Sequence, residues 1–149
     1  MSVTQRMSEK ILVVGVIDPD AYTNSATTYK TGAIDMSLHR RVLFVVMAGT
    51  MASTSTIGFS VTGDTASGGS YATTITGKSI TQLTEAGTDS DKQALVEVTA
   101  EEVFAQGKRY IRGELLVGTA ASDAGVIALA MHSRYQPGTD LASVDEIVG

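Results

Sequence analysis

The chain contains no cysteine and no tryptophan, only two prolines, and few aromatics, with five Tyr and three Phe. Without cysteine it has no disulfide scaffold, no thiolate zinc site and no thiol nucleophile. Charge is scarce too: 18% of the residues are charged, the formal net charge is −5 and the pI is near 4.9. An acidic chain is not a general nucleic-acid binder, whose binding free energy comes largely from cations on phosphates. No targeting or membrane segment stands out. Ile11 to Ile17 (ILVVGVI) is apolar but short, and Asp18-Pro19-Asp20 follows it where a signal peptide would carry small residues. The uncharged stretch from Val42 to Gly63 is long enough to span a bilayer. Its Ser, Thr and three Gly break it into two apolar pieces around Ala48 to Ser55, so it reads as two strands and a turn. A soluble chain made in the cytoplasm, with no membrane partner, is the expectation.

What the chain does have is hydroxyls, 19 Thr and 14 Ser. Thr suits a pleated strand, where its branched Cβ packs and its hydroxyl faces water. At 149 residues and 15.5 kDa the chain makes one domain. Surface scaling gives roughly 7,200 Å² exposed when folded against about 22,500 Å² extended, so a proper core forms. Low charge leaves self-association poorly opposed.

Along the chain, Met1 to Lys10 is polar, and Ile11 to Ile17 is a buried strand or part of an extended arm. Asp18 to Gly32 is turn-rich and poor in aliphatics, and so is either a solvated loop or an arm on a neighbouring subunit. Residues 1–32 are therefore assigned to an N-terminal arm or loop and residues 33–149 to the body. Arg41 to Met47 and Gly125 to Met131 are apolar on both faces, as in central strands between two layers. Thr56 to Thr62 alternates, with Ile57, Phe59 and Val61 on one face. Tyr71 to Ile75, Gln93 to Thr99 (Ala94, Val96 and Val98 inward) and Tyr110 to Val117 (Ile111, Leu115 and Val117 opposite Arg112 and Glu114) complete the strands. Thr99-Ala100-Glu101-Glu102 is a capping box opening a short helix, Val103 and Phe104 supply its apolar contact, and Gly107 ends it. The fold class is all-β: a single β-sandwich or jelly-roll-like domain with one short helix and an extended N-terminal arm.

No chemical motif is complete. Gly77-Lys78-Ser79 has Ala72 where a phosphate loop needs its first Gly, so a hairpin turn is the better reading. His39 and His132 are the only histidines, and no Gly-x-Ser-x-Gly nucleophile elbow accompanies them. His39, beside Arg40 and Arg41, marks a polar strand start or a partner contact. Asp18 with Asp20, and Asp89 with Asp91, lack the further ligands of an EF-hand calcium loop and serve as turn-stabilising residues, or as a weak calcium contact at a subunit boundary. Arg40-Arg41, Lys108-Arg109 with Arg112, and Arg134 pair with carboxylates such as Glu97, Glu101 or Glu114, in this chain or a neighbour. Arginine at strand ends also anchors interfaces. No catalytic, cofactor-binding or metal-binding residue is assigned, and no cofactor is called for.

Ala33-Ile34-Asp35-Met36-Ser37, the run His39 to Gly49 (HRRVLFVVMAG), Ile75 to Thr84 (ITGKSITQLT), Asp89 to Ala94 (DSDKQA), Gly107 to Arg112 (GKRYIR) and Arg134 to Pro137 (RYQP) together resemble the small capsid decoration, or cement, proteins of tailed bacteriophages. The likeness runs from Gly32 to Pro137 and leaves Met1 to Thr31 outside it. It implies a β-body that binds the outside of the head, clamps major capsid protein subunits together and does no chemistry. The implied partners are the major capsid protein and further copies of the chain, as a dimer or trimer. The implied location is the outer capsid surface of the virion, assembled in the host cytoplasm. On that reading Asp18 to Gly32 lies on a capsid or sister subunit with Tyr22 and Tyr29 as anchors, and removing residues 1–30 leaves a folded body that no longer binds. Arg40, Arg41, Arg134 and Tyr135 are the remaining interaction candidates. A phage adhesin or carbohydrate-binding module is the alternative, disfavoured by the missing tryptophan. A small hydrolase is disfavoured by the missing nucleophile motif.

Overall fold

The computed structural model describes residues 6–23, 28–135 and 138–148. Met1 to Gln5 of the polar leader, Asn24 to Thr27 of the turn-rich segment and Gln136-Pro137 of the last resemblance motif lie outside the described residues. Two strands carry the longest apolar runs and sit at the centre of one sheet, β4 (His39–Met51) and β10 (Ser122–Ser133). They are flanked by β1 (Ile11–Tyr22) beside β10 and by β8 (Gln93–Thr99) beside β4, giving the order β1-β10-β4-β8. The second sheet is built on β9 (Tyr110–Gly118) and β5 (Thr56–Asp64). Along the outer edge of β9 run β2 (Tyr29–Lys30) and β3 (Ile34–Asp35). Along the outer edge of β5 run β6 (Thr73–Ser79) and β7 (Leu83–Thr84). All pairings are antiparallel.

With β2–β3 and β6–β7 each counted as one interrupted strand, the chain is a long hairpin of nested pairs: β1 with β10, β2–β3 with β9, β4 with β8, β5 with β6–β7. Rolled up, these pairs fall into two four-stranded layers, which is a jelly roll. The core lies between the layers. Val42, Phe44, Val46, Val98, Ala128 and Ala130 face Ile57, Val61, Ile75, Ile111 and Leu115, all fully buried, and Phe44 meets Phe59 with ring centroids 5.5 Å apart.

Of the two readings of Ile11 to Ile17, the structure has the buried strand, and it continues to Tyr22. That stretch is a strand of the body, paired with β10 from Ile11↔Met131 to Tyr22↔Ser122, with two irregularities that take up Val14 and the Asp18-Pro19 corner. Leu12 and Ile17 are buried in the core. Few aliphatics beyond Ile17 did not mean few attachments, because a strand end is held by its backbone ladder whatever its side chains. Residues 29–35 are likewise stitched to β9: the Thr31 N–H donates to the Gly113 carbonyl and the Gly113 N–H donates to Thr31 Oγ1, each 3.0 Å.

The short helix α2 (Ala100–Ala105) has the capping box, with the Glu102 N–H donating to Thr99 Oγ1 at 3.3 Å and the Thr99 N–H to the Glu102 carboxylate at 2.9 Å. Gly107 follows at φ +68°, where a side chain would be strained. Val103 is the helix's one fully buried side chain, Ala100 packs partly buried against the core, and Phe104 is exposed. One further helical turn, α1 (Met7–Lys10), precedes β1, and a 3₁₀ turn spans Glu85–Gly87. Gly77-Lys78-Ser79 is not a hairpin turn but the end of β6, with Gly77 at φ +75° beside a register irregularity opposite β5.

Candidate functional site

Alternation sends every second side chain of the β1-β10-β4-β8 sheet away from the core, where Pro19 folds over Gly125 at one end and Leu95, Met47 and Met131 are left exposed. The cross-strand registers set these residues in rows. Ile11, Met131, Arg41 and Thr99 form the first, and Val13, Leu129, Leu43 and Glu97 the second. Val16, Ile127, Val45 and Leu95 form the third, and Gly125, Met47 and Gln93 the fourth. The third row is aliphatic from edge to edge and the second as far as Leu43, and on this face Leu95 is 65%, Met47 41% and Met131 38% exposed. An antiparallel sheet with one face on the core ordinarily puts polar side chains on the other. The β9–β5 sheet does so: Thr56, Gly58 and Ser60 lie beside Gly118, Leu116 and Glu114, and Arg112 pairs with Glu114 at 2.7 Å. The sandwich therefore has one wet outer face and one dry one.

The two ends of the dry face differ in charge. Where β1 and β4 finish and β10 and β8 begin, Asp18, Asp20, Asp91 and Asp123 are all exposed, and among the described residues none makes an ion pair. Between them lies an open depression of about 380 Å³ lined by Pro19, Met47, Ala124 and Gly125, with Pro19 packed against Gly125. At the opposite end lie Lys10, Arg40, Arg41, Arg134 and His132. Arg41 pairs with Glu97 at 3.1 Å, and Arg40 reaches Glu101 at 3.8 Å with both side chains largely in water, which adds little stability.

The six sequence candidates fall into these two ends. Arg40, Arg41, Arg134 and Tyr135 are brought together, because the start of β4 pairs with the end of β10 and the Arg134 N–H donates to the Leu38 carbonyl at 2.7 Å. The Arg134 guanidinium lies 5.8 Å from the Tyr135 ring centre. Tyr22 and Tyr29 are at the acidic end and are half-buried against the core. The Tyr22 hydroxyl donates to the Asp18 carbonyl, and burial, with the Asp20 and Asp18 charges, pushes its pKa up. The carboxylates Glu97, Glu101 and Glu114 pair with Arg41, Arg40 and Arg112 within the chain.

His39, Ser133 and Asp35 do come near one another, but not as a triad. His39 Nδ1 is 3.0 Å from Ser133 Oγ, while the Asp35 carboxylate is gripped by Arg109 through Nε at 3.0 Å and Nη2 at 2.6 Å. Those bonds, with the Ser37 N–H, hold the Asp35 pKa down to about 2 against the desolvation that raises it. Burial lowers the His39 pKa and the Asp35 charge opposes it. Asp89 spends its carboxylate on the Thr84 N–H and Lys92, as a turn residue does. Among the described residues no three of His, Asp or Glu converge as metal ligands, and no helix is long and apolar enough to cross a membrane.

Leu95, Val45, Ile127, Leu129 and Met131 escaped the sequence reading as site residues. For Val45, Ile127, Leu129 and Met131 the signal was present in the two runs apolar on both faces, which call for cover on both sides; Leu95 lies outside both runs.

No family model matches the chain, and no curated protein matches it. Among solved structures, a chain of the infectious bursal disease virus Gx strain structure is similar at 13% identity and a TM-score of 0.46, over 86% of this chain and 34% of that one. A chain of the Gt strain structure is similar at 15% identity and a TM-score of 0.44, over 92% and 36%. The chain spans about a third of the length of those two.

Proposed function

We propose that this chain is a non-enzymatic structural protein of a virus particle, a decoration or cement protein that binds the outer surface of a tailed-phage head and ties major capsid protein subunits together. The observation that carries the reading is the uncovered aliphatic face opposite a hydroxyl-rich one. A solitary soluble domain rarely keeps a contiguous apolar patch of this extent, and such patches mark interaction surfaces. Jelly rolls serve in viral capsids, but also in lectins and cupins, so the fold admits a shell protein without selecting it. The selection comes from the resemblance of the segments between Gly32 and Pro137 to head decoration proteins.

The shell contact falls to the basic end, where Arg40, Phe104, Arg134 and Tyr135 present the arginine and aromatic side chains that interfaces favour. Repetition of the contact over a lattice makes weak single contacts sufficient. The test is electron microscopy of heads lacking the protein, before and after adding it back. Regular added density that disappears with Arg134→Glu and Tyr135→Ala together is expected; heads that stay bare with the unaltered protein reject the reading.

A further inference from the structure

We infer that the dry face of the β1-β10-β4-β8 sheet receives a second copy of this chain, related by a twofold axis that lies between the two sheets and runs perpendicular to the strands. The inference goes beyond the shell contact: the aliphatic face lies outside that contact, and the two share only Arg134 at the basic end.

Three observations select the occupant and the axis. The first is extent. From Arg41 to Met47 the face is about 20–24 Å long, and four strands make it about 19 Å wide. That is roughly 400–450 Å² in flat projection; side-chain relief and the two charged ends bring it towards the about 800 Å² per partner of a stable complex. The face is also nearly charge-free, since its one ion pair, Arg41–Glu97, is already satisfied within the chain. It can therefore meet its own image without burying a lone charge.

The second is charge at the ends. A twofold axis parallel to the strands would set Asp18, Asp20, Asp91 and Asp123 against the same four aspartates of the other copy. The perpendicular axis reverses strand direction and brings them opposite the end that carries Lys10 and Arg134. Only this second arrangement is attractive at both ends.

The third is shape. The perpendicular axis keeps β10 facing β10 and exchanges the first row with the fourth. Met131, exposed in the first row, then stands beside the 380 Å³ depression of the other copy, next to Gly125, which Pro19 covers. A flexible thioether side chain suits such a hole. Under the parallel axis Met131 would instead face Arg41.

Sedimentation of the purified full-length chain tests this. A species of twice the 15.5 kDa chain mass is expected. Leu95→Glu and, separately, Met131→Glu should weaken association about 100-fold or more while leaving the far-UV spectrum unchanged, because both side chains are exposed. Asp123→Lys should weaken the dimer, and adding Arg134→Glu should restore it. Because the chain has no cysteine, Leu95→Cys is a single reporter, and a short bis-maleimide should link it to itself. A monomeric unaltered chain, or a dimer that persists in Leu95→Glu, overturns the proposal. So does a Leu95→Glu chain that loses its hold on heads when the unaltered chain is monomeric, because the shell is then the occupant. Strengthening by Asp123→Lys, or linkage of Leu95→Cys only to Val16→Cys, overturns the axis.

Discussion

Tyr22 and Tyr29 rest on each other, ring centroids 4.0 Å apart and tilted by 42°, one at the end of a strand in the first sheet and the other at the edge of the second. Their contact joins the two layers at the acidic end of the sandwich. Both rings also pack on the hydrophobic core. They therefore help to hold this chain's own fold together.

Removing residues 1–30 should consequently destroy the fold, not merely its binding. The truncation strips β1 from β10, uncovers Ala128 and Ala130, and leaves the backbone groups of a central strand unpaired. Insoluble or unfolded product by circular dichroism is the expected result; a soluble body with native thermal unfolding would show that β1 is dispensable. Tyr22→Ala in the full chain should cost about 1 kcal/mol from the lost aromatic pair, with burial adding to that figure.

Asp35 and Arg109 should make acid stability depend on one ion pair. The folded pKa of Asp35 lies near 2, below the ordinary 3.8, so the pair's contribution is complete above about 3.8 and disappears as pH falls through about 2. Half of the Arg109 side chain is in water, which discounts the contribution to about 1 kcal/mol. Urea unfolding at pH 6 and pH 2.5 should show Asp35→Asn less stable than the unaltered chain at the higher pH, with the gap narrowing at the lower. An equal gap at both values would mean that the carboxylate charge is not what matters.

Gly113 sits in β9 with no room for a side chain. A Cβ there would lie 2.7 Å from Phe59 Cζ and 3.0 Å from Phe44 Cε1, in the middle of the core. Gly113→Val should destabilise by about 1–3 kcal/mol through overpacking, seen as a lower thermal midpoint. An unchanged midpoint would mean that the two phenylalanines can move aside.

Thr99 closes the capping box of a helix of only six residues. Thr99→Ala should lower stability by about 1 kcal/mol, and Thr99→Ser should recover most of it. Failure of serine to rescue would move the effect from the hydroxyl to strand packing against Arg41.

Most elements were legible because local pattern decided them. Ile57, Phe59 and Val61 alternate and are buried as their spacing requires, and the Thr99–Glu102 box caps its helix as its spacing requires. What local pattern could not supply was attachment. The Asp18 to Gly32 segment looked unanchored because it lacks aliphatics, yet the ends of β1 and β2 are held by ladders to Ser122–Ala124 and Glu114–Leu115. Those partners lie roughly a hundred residues away along the chain and leave no trace in the segment's own composition. Tyr71 to Ile75 was placed early for the same reason, since its register follows from β5 and not from its own residues.

Composition and alternation were thus enough to establish an all-β body, its strand-rich order and the two runs that want apolar cover on both sides. Both follow from side-chain chemistry at a period of two, which any extended segment expresses alone. Only the rolled-up hairpin decided that β4 and β10 share a sheet, with the second sheet on one side of it and Leu95, Met47 and Met131 exposed on the other. That depends on which distant strands pair, and pairing is a property of the closed sandwich, so the exposed aliphatic face could be seen only after the chain had folded around its core.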